Sequence, residues 1–337
     1  MNLTDLEKIL KDEPAYRVKQ VKQLIFKDLI GDWQDATTLP KALRQNLAEK
    51  IPLKINGEIF ASKDNETAKA LIALDDQFNI ESVLMRHKDG RNTLCVSSQV
   101  GCPLKCSFCA TGQMGFKRNL KSWEIIEQVI FFARYLALKK EKIANIVFMG
   151  MGEPFLNYDE VLGAIKILND NSGYGLGARH FSISTVGIAE GIIKLTKEKI
   201  AVNLAISLHA PDDKLRSEIM PINNKYSIKK IMNAAYEYVS KTHRRVMFEY
   251  IMIKNLNDSF ESAEKLSKLM NNPSYFVNLI SYNPTGLFKP SQGDRIKKFK
   301  EILEKNNINV TQRYRFGNDI NAACGQLAGK KNSAYEN

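Results

Sequence analysis

The apolar positions change period twice along the chain. Val18, Val21, Leu24, Ile25 and Leu29 recur at helical spacing, with Lys19, Lys22 and Lys27 on the other faces. Leu39-Pro40 offers a break and a new start before KALRQNLAEK. From about residue 53 to 100 the helical period gives way to the short runs AKALIAL, IESVLM and TLCVSS, with Asp89-Gly90 marking a hairpin turn. The pattern predicts a small, basic, mainly helical accessory domain over residues 1–80 that ends in a short β linker.

After Cys95, apolar strands and amphipathic helices alternate. The predicted strands are TLCVS, NIVFMG, FSISTV, AVNLAIS, RVMFEYIMI, YFVNLISY and INVTQ. The predicted helices include SWEIIEQVIFFARYLA, YDEVLGAIKIL, IKKIMNAAYEYVSK, SAEKLSKLM and KKFKEILEK. Such alternation implies an α/β fold, with a parallel sheet under outer helices. Six or seven units suit a full or partial barrel, with chemistry at the C-terminal ends of its strands. This core spans residues 81–329, and residues 330–337 read as a disordered tail.

Composition changes the picture in two ways. The 49 Lys and Arg exceed the 37 Asp and Glu, for a net charge of +12, which favours a polyanionic partner such as nucleic acid. Five cysteines without a secretion signal argue against a disulfide framework and for metal binding or catalysis. No apolar run is long enough for a membrane span, so a cytoplasmic location and no membrane partner are expected, with a monomer as default.

The chemistry concentrates in GCPLKCSFCATGQMGF, where Cys102, Cys106 and Cys109 follow a Cys-x3-Cys-x2-Cys spacing in a loop after a strand. Three thiolates this close can wrap one iron–sulfur cluster and leave one iron open for a substrate. A zinc knuckle is the alternative, but it wants a fourth Cys or His, and no His lies between residues 88 and 179. Taken alone, Cys95 reads as a buried strand residue and Cys324 as an incidental loop thiol. Glu81 alone reads as a strand residue, Gly152-Glu153-Pro154 as a turn and His209 as a core histidine.

The cysteine spacing, with Phe108 before the third Cys, resembles the radical-SAM signature. The flanking motifs resemble those of one branch, the RlmN/Cfr family of RNA adenine methyltransferases. They are LCVSSQVGC (94–102), FCATGQMGFKRNL (108–120), FMGMGEP (148–154), ISTVGI (183–188), NLAISLHAP (203–211), the run Ile219 to Asn223, and AACGQLAG (322–329). The resemblance covers about Tyr16 to Gly329 and implies a partial (β/α)6-type radical-SAM barrel behind a small helical domain. It implies a 4Fe-4S cluster on Cys102, Cys106 and Cys109, and two S-adenosylmethionine molecules per turnover. Gly152, Glu153, Ser184, Ser207, Leu208, His209 and Asn283 would contact that cofactor. Cys324 would carry a methyl group, Cys95 would resolve the protein–RNA intermediate through a transient disulfide, and Glu81 would accept the ring proton. The spacing from Glu81 to Cys95 is about one residue longer than in typical members.

The resemblance further implies 23S rRNA as substrate, some tRNAs as a second one, and an electron donor such as flavodoxin or ferredoxin. Carbon 2 of adenosine is the expected target. Val96, Val100 and Pro154 follow the RlmN pattern, whereas Tyr282 to Thr285 and Phe316-Gly317 lean toward the Cfr pattern of carbon 8 methylation. Arg17, Lys19, Lys22, Arg118, Arg313 and Arg315 are expected RNA-backbone contacts. A non-enzymatic RNA-binding protein with a structural metal is the alternative of another class, and radical-SAM chemistry on a substrate other than RNA is a third.

Overall fold

A computed structural model describes residues 3–313 and 317–329; Arg315, Phe316 and the tail at 330–337 lie outside the described residues. The N-terminal segment forms α1 (Leu3–Leu10), α2 (Ala15–Phe26) and α3 (Lys41–Lys50). Their apolar stripes meet at Val21, Ile25 and Leu47 around the buried Trp33, whose indole N–H donates to the Ile51 carbonyl at 2.6 Å.

The strands β1 (Gly57–Ala61), β2 (Thr67–Ala73), β3 (Asn79–Arg86) and β4 (Asn92–Cys95) follow as an antiparallel meander. Next come β5 (Gln99–Gly101), α4 (Ala110–Gln113), β6 (Phe116–Asn119), α5 (Ser122–Ala137), β7 (Asn145–Phe148), α6 (Tyr158–Asn169), β8 (Phe181–Thr185) and α7 (Ala189–Leu195). The chain continues through β9 (Asn203–Ser207), α8 (Asp213–Ile219), α9 (Ile228–Thr242), β10 (Val246–Met252), α10 (Phe260–Leu269), β11 (Tyr275–Ser281), α11 (Gly293–Lys305) and β12 (Asn309–Gln312).

Strands β4 and β7 to β12 run parallel, and the open sheet has the order β1-β2-β3-β4-β7-β8-β9-β10-β11-β12. The expected partial barrel is therefore present. The β linker expected before residue 81 is part of the same sheet, and a division at residue 80 falls inside β3. The central strands β10 and β11 are buried along nearly their whole length, because helices cover one face and the barrel interior the other.

Helix α5 carries Arg134, which donates to the carbonyls of Leu29 at 3.1 Å, Leu53 at 2.8 Å and Ile30, joining the N-terminal helices to the barrel wall. No helix among the described residues is long and apolar enough to cross a membrane.

Candidate active site

Strands β5 and β6 form a separate two-stranded hairpin that presents the cysteine loop. Gly101 lies at φ +75, and a Cβ there would sit 1.9 Å from the Gly115 carbonyl oxygen. Only glycine allows this approach, which brings the Cys102 N–H onto the same oxygen at 2.9 Å. The loop is tied further by the Ser107 N–H on the Ile219 carbonyl and the Cys109 N–H on the Cys106 carbonyl.

Cys102, Cys106 and Cys109 line one cavity. Burial pushes all three thiols up, Cys102 to about 12, and Cys106 is raised further by Cys109 and Cys102 beside it. Three thiols packed where their charges repel need a multivalent cationic partner to become thiolates. Among the described residues no group of three His, Cys, Asp or Glu side chains is placed to hold a single metal ion. Iron–sulfur clusters are held by cysteine sulfur, so the donor set fits one, and Cys102, Cys106 and Cys109 would hold it.

The cavity wall is built from consecutive strand ends. Gly152, at φ +99, follows β7, and a Cβ there would collide with Gln99 at 2.5 Å. Glu153 is buried, and burial raises its carboxyl to about 7 even though Phe155 N–H donates to Oε1 at 3.0 Å and Val186 N–H to Oε2 at 2.8 Å. Ser184, next to the last residue of β8, and Ser207, the last of β9, have their hydroxyls 3.5 Å apart. His209 lies edge-on to Phe108, and its Nδ1 accepts the Ile251 N–H at 3.2 Å. Burial, with Arg216 nearby, lowers the imidazole to about 3, so the ring is neutral and its other nitrogen is a donor.

Leu208 is placed differently. It does not line the cavity; its N–H donates to the Glu249 carbonyl, and its own carbonyl accepts from Arg216.

A second cavity shares Cys109, Met149, Arg313 and Cys324 with the first and adds Cys95, Asn283 and Met85. Cys95, at the end of β4, and Cys324 thus face one space. Burial and the facing Cys324 push the Cys95 thiol up to about 12. Asn283 holds the Cys324 carbonyl through its side-chain N–H at 3.1 Å, and its own Oδ1 is buried without a partner. Glu81 lines neither cavity. It is buried beneath the C-terminal segment, with Lys69 at 2.9 Å from Oε1 and the Ala328 N–H at 2.7 Å from Oε2.

The expected RNA contacts divide. Arg118 is bridged to Asp76 and Glu124, Arg17 to Glu13 and the Thr38 carbonyl, and Lys22 to Asp170, whereas Lys19 is exposed. Arg313 is a correction. It points inward, with Nη1 3.8 Å from Cys324 Sγ and 3.5 Å from Met149 Sδ. Burial works against its charge, but Cys324, Glu249 and Cys95 hold it up.

Two further groups have no strong sequence signal. Arg216 donates to the carbonyls of Val186, Ser207, Leu208 and Tyr226, bracing two strand ends. Glu249 lines the first cavity with Oε1 unpartnered, while Oε2 accepts from Asn278 at 2.8 Å. Its only trace in the sequence is a carboxylate inside the apolar run VMFEYIM.

The Radical SAM superfamily model matches residues 96–266. The chain is 46% identical over 317 residues to the probable dual-specificity RNA methyltransferase RlmN of Dictyoglomus turgidum, covering 94% of this chain and 91% of the relative. It is 42% identical over 345 residues to the ribosomal RNA large subunit methyltransferase N of Nitrosopumilus maritimus, covering 96% and 98%. Among solved structures, a radical SAM methyltransferase from Sphaerobacter thermophilus superposes with a TM-score of 0.94 at 42% identity, covering 98% of each chain.

Proposed function

Because the chain belongs to the radical SAM superfamily and, within it, to the RlmN-type RNA methyltransferases, we propose that it methylates carbon 2 of an adenosine in 23S rRNA, and of adenosines in some tRNAs, through a methyl group carried on Cys324. The observation that carries this proposal is the shared wall of the two cavities. Cys324 stands on that wall, between the three clustered cysteines and Cys95.

Cys102, Cys106 and Cys109 would hold a 4Fe-4S cluster, and the strand-end groups Gly152, Glu153, Ser184, Ser207 and His209 would surround S-adenosylmethionine. When bound, these groups supply a methyl electrophile and, after one-electron reduction by a donor such as flavodoxin or ferredoxin, a radical that removes hydrogen from a methyl group. Two molecules of S-adenosylmethionine per turnover follow from those two uses.

Adenine carbon 2 is electron-poor and does not attack a methyl sulfonium, so the chain must deliver carbon from its own sulfur. Cys324 would do so; Asn283 holds its carbonyl and Arg313 lies beside its sulfur. After the carbon radical on Cys324 adds to the ring, the adduct would lose one electron and Glu81 would take the ring proton. The Cys95 thiolate would then attack Cys324 sulfur and break its bond to carbon; the released carbon would take up a proton to become the product methyl group, and the Cys95–Cys324 disulfide would be returned to thiols by the reductant. Leu208 would bear on the cofactor only through the strand-end turn it stiffens.

Mass spectrometry of nucleosides tests the proposal, after anaerobic incubation of reconstituted protein with an rRNA fragment, S-adenosylmethionine and reductant. We expect 2-methyladenosine. The 8-methyl isomer would overturn the carbon assignment, and unmodified RNA would overturn the proposal itself.

A further inference from the structure

Strands β2 and β3 pair with Lys69 opposite Val83 and Leu71 opposite Glu81. Lys69 and Glu81 are therefore diagonal neighbours on one face of the sheet, within reach of each other's long side chains. They form an ion pair at 2.9 Å with both side chains 2% exposed. Glu81 Oε2 is turned the other way and accepts two main-chain N–H groups, from Ala328 at 2.7 Å and Gly329 at 3.2 Å. Those residues follow Cys324 by four and five positions.

The segment from Cys324 to Gly329 is fixed at several places, among them Gln326 Nε2 on the Pro284 carbonyl at 3.3 Å. Asn283 donates to the Cys324 carbonyl at 3.1 Å. Helix α4 supplies the Ala110 N–H to the Gly325 carbonyl and the Thr111 hydroxyl to the Leu327 carbonyl at 2.7 Å. Glu81 is a further fixing point, and its buried charged side chain must itself be held.

We infer that Lys69 is a positioning residue for the Cys324 segment, acting through Glu81: its ammonium keeps the buried carboxylate turned so that Oε2 receives the amides of Ala328 and Gly329. If Lys69 is removed, an uncompensated charge lies buried beneath the segment. The carboxyl is then free to turn away, and the two amides lose an acceptor fixed in place. The functional consequence, a displaced methyl-carrying sulfur, rests on the role proposed above for Cys324; the anchoring itself does not.

Hydrogen exchange on the anaerobically reconstituted holoprotein, without RNA, reads the anchor directly. In Lys69→Met the amides of Ala328 and Gly329 should exchange roughly tenfold faster or more. Peptides from α9 and β11 should stay within about twofold of wild type, and Lys69→Arg should restore most of the protection. The double variant Lys69→Met/Glu81→Gln leaves no buried charge and keeps an oxygen acceptor, so it serves if the single variant does not fold. It too should exchange faster at residues 328 and 329, because no ammonium is left to orient the neutral amide side chain on β3.

Unchanged protection at those two amides in a folded variant would overturn the inference, as would uniform loosening of the whole barrel in the double variant. Wild-type protein that protects these amides yet transfers no methyl group would overturn the functional proposal and leave the anchor standing.

Discussion

His209 occupies the left-handed region at φ 60, is fully packed against Phe108, and has an imidazole that burial lowers to about 3. The folded state therefore excludes a proton that the unfolded chain accepts below about 6.5. Stability from this residue is complete above that pH and is lost as pH falls from 6.5 toward 3. Asparagine tolerates the same backbone and cannot titrate. Between pH 7 and pH 5, cluster-free wild type should lose roughly 2 kcal/mol more unfolding free energy than His209→Asn in urea titrations; parallel losses would contradict a buried neutral imidazole. The three clustered cysteines stand out in the sequence as a motif, because so close a set of thiols admits few other uses. Arg313 does not, since sequence shows its charge and not its direction. Lys69 had a faint signal, a lone charge inside the apolar run AKALIAL, but nothing in the sequence told which carboxylate it meets.

Elements with an apolar stripe of ten or more residues, such as α5, α9 and α11, could be read along the chain because burial of one face dictates their period. The parallel strands were legible as apolar runs for the same reason. The β5–β6 hairpin was not, since Gln99–Gly101 and Phe116–Asn119 are short and its register is set by backbone contact at Gly101 rather than by a buried face. A substitution there tests what the hairpin does. Gly101→Ala combines a positive φ with a Cβ placed 1.9 Å from a main-chain oxygen, at a cost on the order of 3 kcal/mol. The purified variant should show a lower thermal midpoint and clearly reduced iron per chain after reconstitution. Full iron loading would mean that the hairpin does not set the cysteine loop. Helices α7 and α8, of seven residues each, escaped for want of length.

At the scale of the whole molecule, the net charge of +12 announces an anionic partner but not the residues that meet it, because several prominent cations serve the fold. Arg118 joins the β2–β3 turn to α5 through Asp76 and Glu124, whereas Lys19 on α2 is exposed. Lys19→Ala should therefore lower the slope of log affinity for an rRNA fragment against log salt by nearly one unit, and Arg118→Ala should leave it unchanged; the opposite order would reverse the assignment. On the function proposed above, Cys324 delivers carbon to RNA and Cys95 releases it across a shared cavity. Denaturing electrophoresis of Cys95→Ala after anaerobic incubation with labelled rRNA fragment, S-adenosylmethionine and reductant tests this most directly. The account predicts a covalent protein–RNA species that accumulates in Cys95→Ala, is absent from the double variant with Cys324→Ala, and is resolved to methylated RNA by wild type. Free methylated RNA turned over repeatedly by Cys95→Ala, or an adduct that persists without Cys324, would contradict it.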